Sequence, residues 1–265
     1  MITSIFQAAL ECLLADDIQQ KINLLQFYKS NWDAGKLNNI KTDNIIKIIN
    51  AGRPEKPELV WPRNLPRRRL HGKDGRGTLL HAIAHIEFNA INLALDAVYR
   101  FQDMPHQYYS DWMRIACEEA NHFSLLNNYL KELGYSYGDF NAHNGLWALA
   151  VETDYDVLVR MALVPRIMEA RGLDVTPGII QKFMSIPDLK AVEILSIILE
   201  EEHDHVAIGN KWFHYLCEQR GLAPLETFKQ LIGQHINGQI KPPFATEARL
   251  KSGFTIQELE MLENL

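Results

Sequence analysis

Glutamate and histidine stand three residues apart within two apolar helical stripes, and this constrains the chain's fold more than any other feature. In ILEEEHDHVAIG, residues 198–209, steps of three and four from Glu202 meet Leu195, Ile198, Leu199, His205, Val206 and Gly209. The same steps from Glu200 meet Glu193, Ser196, His203 and Lys211, a wetter face. Residues at this spacing share a helix face, so Glu202 and His205 point inward while Glu200 and His203 point out. Asp204 is left as a candidate to support the ligands. A second copy lies 83 residues upstream: Glu119 and His122 in a stripe of Trp112, Ile115, Ala116, Phe123 and Leu126, with Glu118 off it.

Burying an ionised carboxylate alone costs several kcal/mol, so inward Glu and His need partners, and a metal ion is the natural one. Each pair has a glutamate on the preceding helix. Glu87 lies 32 residues before Glu119, in an apolar row of Leu80, Ile83, Ala84, Ala90, Ile91 and Ala94. Glu169 lies 33 residues before Glu202, in a row containing Pro165 and Arg166, with Glu152 as its rival. The set is then Glu87, Glu119, His122, Glu169, Glu202 and His205. One Glu from each of two helices and one Glu-x-x-His from each of two others is the ligand set of ferritin-like dimetal bundles. Four carboxylates balance two divalent ions, so the filled site is neutral. Carboxylate and imidazole without thiolate favour iron, with manganese the alternative.

The rest of the chain reads as all-α. Helical periodicity covers 3–30 and 42–51, then helix A 78–102, helix B 106–133, helix C 146–171 with a kink at Pro165 and an end at Gly172, a short helix from Thr176-Pro177, helix D 188–220, and 223–237. The expected organisation is an N-terminal helical extension (1–51), a connector with four prolines and four glycines (52–77), a four-helix bundle (78–221), and a C-terminal helix and tail packed on it (222–265).

The formal charge of −6 argues against bulk nucleic-acid binding. Three cysteines, odd in number and without CxxC spacing, suggest reduced thiols. The start lacks a basic region, and no stretch approaches the ~20 apolar residues of a membrane span. A cytoplasmic protein without a membrane partner is expected.

The segments LLHAIAHIEFNAINLALDAVYRF, YYSDWMRIACEEANHFSLL, YGDFNAHNGLW, RMALVPRIMEARGLDVTPGII and ILEEEHDHVAIGNKWF together resemble the ferritin-like family designated domain of unknown function number 455. The likeness runs from about residue 60 to about residue 255 and includes loops, and it implies a ferritin-like fold with a dimetal centre. In fold and ligand pattern alone the chain is distantly similar to the diiron hydroxylase of isopentenylated adenosine in tRNA. By analogy with such sites Glu119 and Glu202 bridge the metals, Glu87 and Glu169 cap one each, and His122 and His205 ligate terminally.

Other candidates have plainer readings. His85 lies about 200° from Glu87 on helix A, so His81 and His85 are expected in core hydrogen bonds. Arg63, Arg67, Arg68, Arg69, Lys73 and Arg76 suit either a phosphate or RNA clamp or a solvated loop, and the loop is favoured. Arg160, Arg166 and Arg171 are candidates to pair with ligand carboxylates, and Tyr108 and Tyr109 are either redox-active or packing residues. The expected function is a diiron oxidoreductase or oxygenase acting with dioxygen or peroxide on a small-molecule substrate. The alternatives are iron binding, storage or detoxification, and hydroxylation of a modified tRNA nucleoside. The N-terminal extension and the long tail fit poorly on a cage subunit; a homodimer is compatible with the sequence.

Overall fold

A computed structural model of the chain describes residues 3–65, 70, 74–186, 188–236 and 240–265. Among these residues the structure is all-α, and the only β-type pairings are the isolated bridges Ser4–Asn38 and Leu59–Ala142. None of the described helices is long and apolar enough to cross a membrane. The chain divides into two compact units, Met1–Asp154 and Tyr155–Leu265.

The first unit is built on α3 (Gly75–Arg100) and α4 (His106–Glu132), which form a hairpin closed by residues 101–105. Pro105 starts α4, and Tyr109 clasps the turn, its hydroxyl donating to Phe101 O at 3.2 Å and accepting from Met104 N at 3.0 Å. The N-terminal helices α1 (Ile5–Leu14) and α2 (Ile18–Asp33) pack on α3 and α4 respectively, so residues 1–51 share a core with the hairpin. Lys21, fully buried, fastens these elements: its Nζ donates to Cys12 O (2.7 Å), Leu13 O (3.0 Å) and Asn92 Oδ1 (2.9 Å). Burial pulls its pKa down to about 7, yet three acceptors match the three donors of an ammonium, and two of them are carbonyls of the last turn of α1.

Residues 42–51 are not the helix that their apolar spacing predicts. Ile45, Ile46, Ile48 and Ile49 are β-branched and lose rotamer freedom in a helix. The segment instead forms an irregular strap tied by side chains, with Thr42 N donating to Gln102 Oε1 (2.8 Å), Ile46 N to the Tyr99 hydroxyl (2.8 Å) and Trp147 Nε1 to Ile49 O (2.9 Å).

The predicted helix C is four segments. The first, α5 (Gly145–Glu152), stops where the Thr153 hydroxyl bonds back to Leu149 O, and α6 (Val157–Leu163) begins at Asp156, whose carboxylate caps Leu158 N at 2.8 Å. A π-helical stretch, Val164–Glu169, contains Pro165 and leads into α7 (Ala170–Met184), which continues through Gly172 and Pro177. Pro165 therefore marks a change of helix type and not a simple kink. Long α8 (Leu189–Gln219) packs on α6, α7 and the π segment; α9 (Pro224–His235), α10 (Thr246–Lys251) and α11 (Ile256–Glu263) complete the second unit.

At its centre Arg166 is fully buried, its guanidinium carbon 3.8, 4.1 and 4.9 Å from the ring centroids of Phe228, Phe213 and Phe254. Its Nε donates to Asn210 Oδ1 at 2.6 Å, and it pairs with Glu258 of the α11 capping box. Arg171 pairs with Asp174 at 2.9 Å, so neither of these arginines serves a ligand carboxylate as the sequence had suggested.

Candidate metal centre

The hairpin of the first unit brings three of the six predicted ligands together. Glu87 (6% exposed), Glu119 (2%) and His122 (0%) offer ligand atoms that all lie within 4.8 Å of one another. His122 Nδ1 stands 3.3 Å from Glu87 Oε2 and 3.3 Å from Glu119 Oε2. The register follows from the sequence: Glu119 and His122 are one helical step apart on the apolar stripe of α4, and Glu87 lies on α3, the other arm of the hairpin.

The electrostatics show what the triad demands. Burial, with the charge of Glu119, pushes the Glu87 pKa well above the usual carboxylate range. Burial alone would lower His122, but its bonds to Glu119 and Glu87 raise it to about 11. Two buried carboxylates call for a cation at that nitrogen, and either a protonated imidazole or a metal ion meets the demand.

In the second unit His205 is fully buried, and its Nδ1 stands 3.1 Å from Glu202 Oε2. Glu169 closes the π segment with one carboxylate oxygen buried. One turn further on, a Cβ built at Gly172 would lie 3.4 Å from both Glu202 Cγ and Oε1, which places that face of the helix against the Glu202 carboxylate. A glycine read as a helix end is therefore a point of close approach. Glu152, the rival, is exposed at the end of α5 and belongs to the first unit.

The outward readings hold as well. Glu200 is exposed with Lys251 at 3.7 Å, and His203 is half-buried beside Ser252. Asp204 is exposed. His85 lies in the core, with Nδ1 2.8 Å from the Tyr137 hydroxyl and Nε2 3.1 Å from His143 O, and burial lowers its pKa to about 4. His81 accepts from Gly138 N at 2.8 Å. Tyr108 and Tyr109 are both fully buried, their rings set edge to face with centroids 5.6 Å apart. Of the basic connector, Arg67, Arg68, Arg69 and Lys73 lie outside the described residues. The cysteines are free thiols.

The π segment is held by one tight contact that sequence reasoning missed. A Cβ at Gly209 would lie 2.4 and 2.6 Å from Pro165 Cβ and Cγ, so α8 and the π segment touch where only hydrogen fits. Gly209 follows His205 by one turn and Pro165 precedes Glu169 by one. Gly209→Ala is expected to lower stability by about 2 kcal/mol through overpacking and to displace Glu169 relative to Glu202. Denaturant melts and a crystal structure of the variant check this; an unchanged midpoint would mean the contact is soft.

The fold and the site define an all-α protein with buried glutamate–histidine sets on its long helices. Within that class the chain belongs to the family described as "Protein of unknown function (DUF455)", whose model matches residues 14–260. A Haemophilus influenzae protein described only as an uncharacterised protein is 42% identical, covering 99% of this chain and 94% of its own length. No solved structure matches. The family match begins at residue 14, so it takes in much of the N-terminal segment that the motif blocks left out.

Proposed function

We propose that this protein is a ferritin-like dimetal carboxylate protein, an oxidoreductase or oxygenase that uses two iron ions with dioxygen or peroxide on a small-molecule substrate. The observation that carries the reading is the Glu87–Glu119–His122 triad, three buried ionisable groups converging within 4.8 Å. A hard to borderline donor set of carboxylate and imidazole fits iron, with manganese next. Glu87, Glu119 and His122 would hold metal in the first unit, and Glu169, Glu202 and His205 would hold metal in the second. When bound, the metals would supply the redox chemistry.

The chain's own residues do the rest. Trp112, Ile115 and Phe123 lie buried on the same helix as Glu119 and His122, an apolar stretch that would keep water from the ligands. Glu87 and Glu119 set their carboxylates 3.3 Å from His122 Nδ1, where a proton is shared within the triad; bound metal would replace it, so loading would release protons and weaken as pH falls.

The test is metal analysis of the protein purified from its native source, with anomalous scattering at the iron edge. Two iron ions at the six residues are expected. A chain without metal, or metal held elsewhere, would sink the reading. Substrate-free accumulation of iron beyond two ions per chain would turn it toward storage.

A further inference from the structure

The strap of the first unit leaves apolar side chains in water. Of the five isoleucines in residues 40–49 only Ile48 is buried, while Ile40 (71% exposed), Ile49 (56%), Ile46 (51%) and Ile45 (44%) remain open. Isoleucine is among the residues most often buried. Together the four present about 400 Å² of apolar surface, the size of patch that on single chains often marks an interaction site. The strap is fastened at Gln102, Tyr99 and Trp147, so the patch is held in place.

The charges among the isoleucines restrict what can cover them. Lys41 pairs with Asp103, and Lys47 Nζ lies 3.0 Å from Asp154 Oδ2 while its side chain stays 56% exposed. Asp43 is exposed and has no ion-pair partner among the described residues. A partner must therefore bring apolar surface and, close to it, a cation for Asp43. The strap itself has that pattern, because Asp43 and Lys47 stand two residues to either side of Ile45. A two-fold axis crossing the strap at Ile45 sets each Asp43 against the Lys47 of the other copy. Net charge points to the same place. Two chains of formal charge −6 repel over most of their surfaces, but Lys41 and Lys47 bring this patch close to neutrality.

We propose that residues 40–49 are the contact between two copies of this chain, an isologous interface with its two-fold axis at Ile45. Ile45, Ile46 and Ile49 of one copy cover those of the other, and two Asp43–Lys47 pairs close the rim. The isoleucines supply about half of the roughly 800 Å² that each partner buries in a standard interface, which is close to the apolar share of such surfaces. The contact does not depend on the metal reading, since none of its residues is a proposed ligand.

The test is sedimentation equilibrium of the full-length protein from about 1 to about 100 µM. A reversible monomer–dimer equilibrium is expected. Ile45→Glu combined with Ile49→Glu, both at exposed positions, should weaken dimerisation at least about tenfold. Ile256→Glu, at an exposed isoleucine of the second unit, should not. Lys47→Glu should also weaken it by setting like charges across the axis, and adding Asp43→Lys restores opposite signs and should recover most of the loss. If Lys47 served only Asp154 of its own chain, no such rescue would follow. A chain that stays monomeric through the whole range overturns the proposal. So does a dimer that the paired isoleucine variant leaves unchanged, or a double charge variant that associates no better than Lys47→Glu. If Lys47→Glu fails to fold, the paired isoleucine variant decides alone.

Discussion

Glu202→Ala is expected to strip the protein of bound metal, whereas Glu200→Ala, two residues earlier on α8, leaves metal content near that of wild type. Both changes delete a carboxylate of the same short acidic run, so net charge cannot explain a difference between them. Position does: Glu202 is 9% exposed beside His205, while the Glu200 side chain is 78% exposed. Loss of a direct ligand should weaken affinity at least about 100-fold, more than loss of a residue that only orients one. Glu119→Ala should behave like Glu202→Ala. Metal content is measured after equilibration with Fe(II) and dialysis. Chelation should lower the melting temperature of wild type and of Glu200→Ala, because buried carboxylates lose their counter-ions, and leave Glu202→Ala nearly unmoved. Equal metal loss in the two α8 variants would assign the ligands to the wrong helix face.

Arg166→Ala is expected to cost about 3–5 kcal/mol, because it leaves Glu258 buried without its cation. Replacing both partners, Arg166→Met with Glu258→Leu, should cost far less or nothing, since desolvation of two ions is avoided together with their attraction. The pH dependence separates the charge from the packing against Phe213, Phe228 and Phe254. Burial alone would raise the Glu258 pKa, but Arg166 overrides it and holds it below 4.5. A carboxylate with a depressed folded pKa contributes stability that is complete above the unfolded value and is lost as pH falls through the folded value. Wild type should therefore lose this contribution only below about pH 4.5. The single variant Arg166→Met should slope the opposite way: an unpartnered, buried Glu258 has its folded pKa raised, so stability falls as pH rises above about 4.5 and is recovered on acidification. Denaturant midpoints from pH 3 to pH 7 measure it; parallel curves for wild type and Arg166→Met would show that the pair contributes no charge-dependent stability.

The long helices were legible because burial and periodicity agree in them. The expected spans 78–102, 106–133 and 188–220 became 75–100, 106–132 and 189–219, and the inward faces at Glu87, Glu119 and Glu202 followed from the same stripes. The failures lie where a local signal competes with tertiary contacts. At Ile45–Ile49 apolar spacing mimics a helix, but Ile46 N donates to the Tyr99 hydroxyl and the Trp147 indole donates to Ile49 O, and these bonds hold an irregular strap. The break after Glu152 was written in Thr153 and Asp156, a back-bonding hydroxyl and an N-cap, and went unread. Gly172 looked like a stop because glycine commonly ends helices. Its reason is distant: a carboxylate 30 residues later in the chain needs the space. No sequence pattern announces the π stretch, although Pro165 marked its place.

The two proposed ligand sets are also separated in time. His122 completes the set on the α3–α4 hairpin 47 residues before the ribosome reaches Glu169, the first member of the other set. At ordinary synthesis rates that interval is about 2–10 s. Throughout it the nascent chain carries Glu87, Glu119 and His122 with nothing yet made of their proposed counterparts. On the proposed reading, a proton on His122 would then act as a placeholder, making half of the proposed metal site tolerable to a chain that has not yet been given the other half.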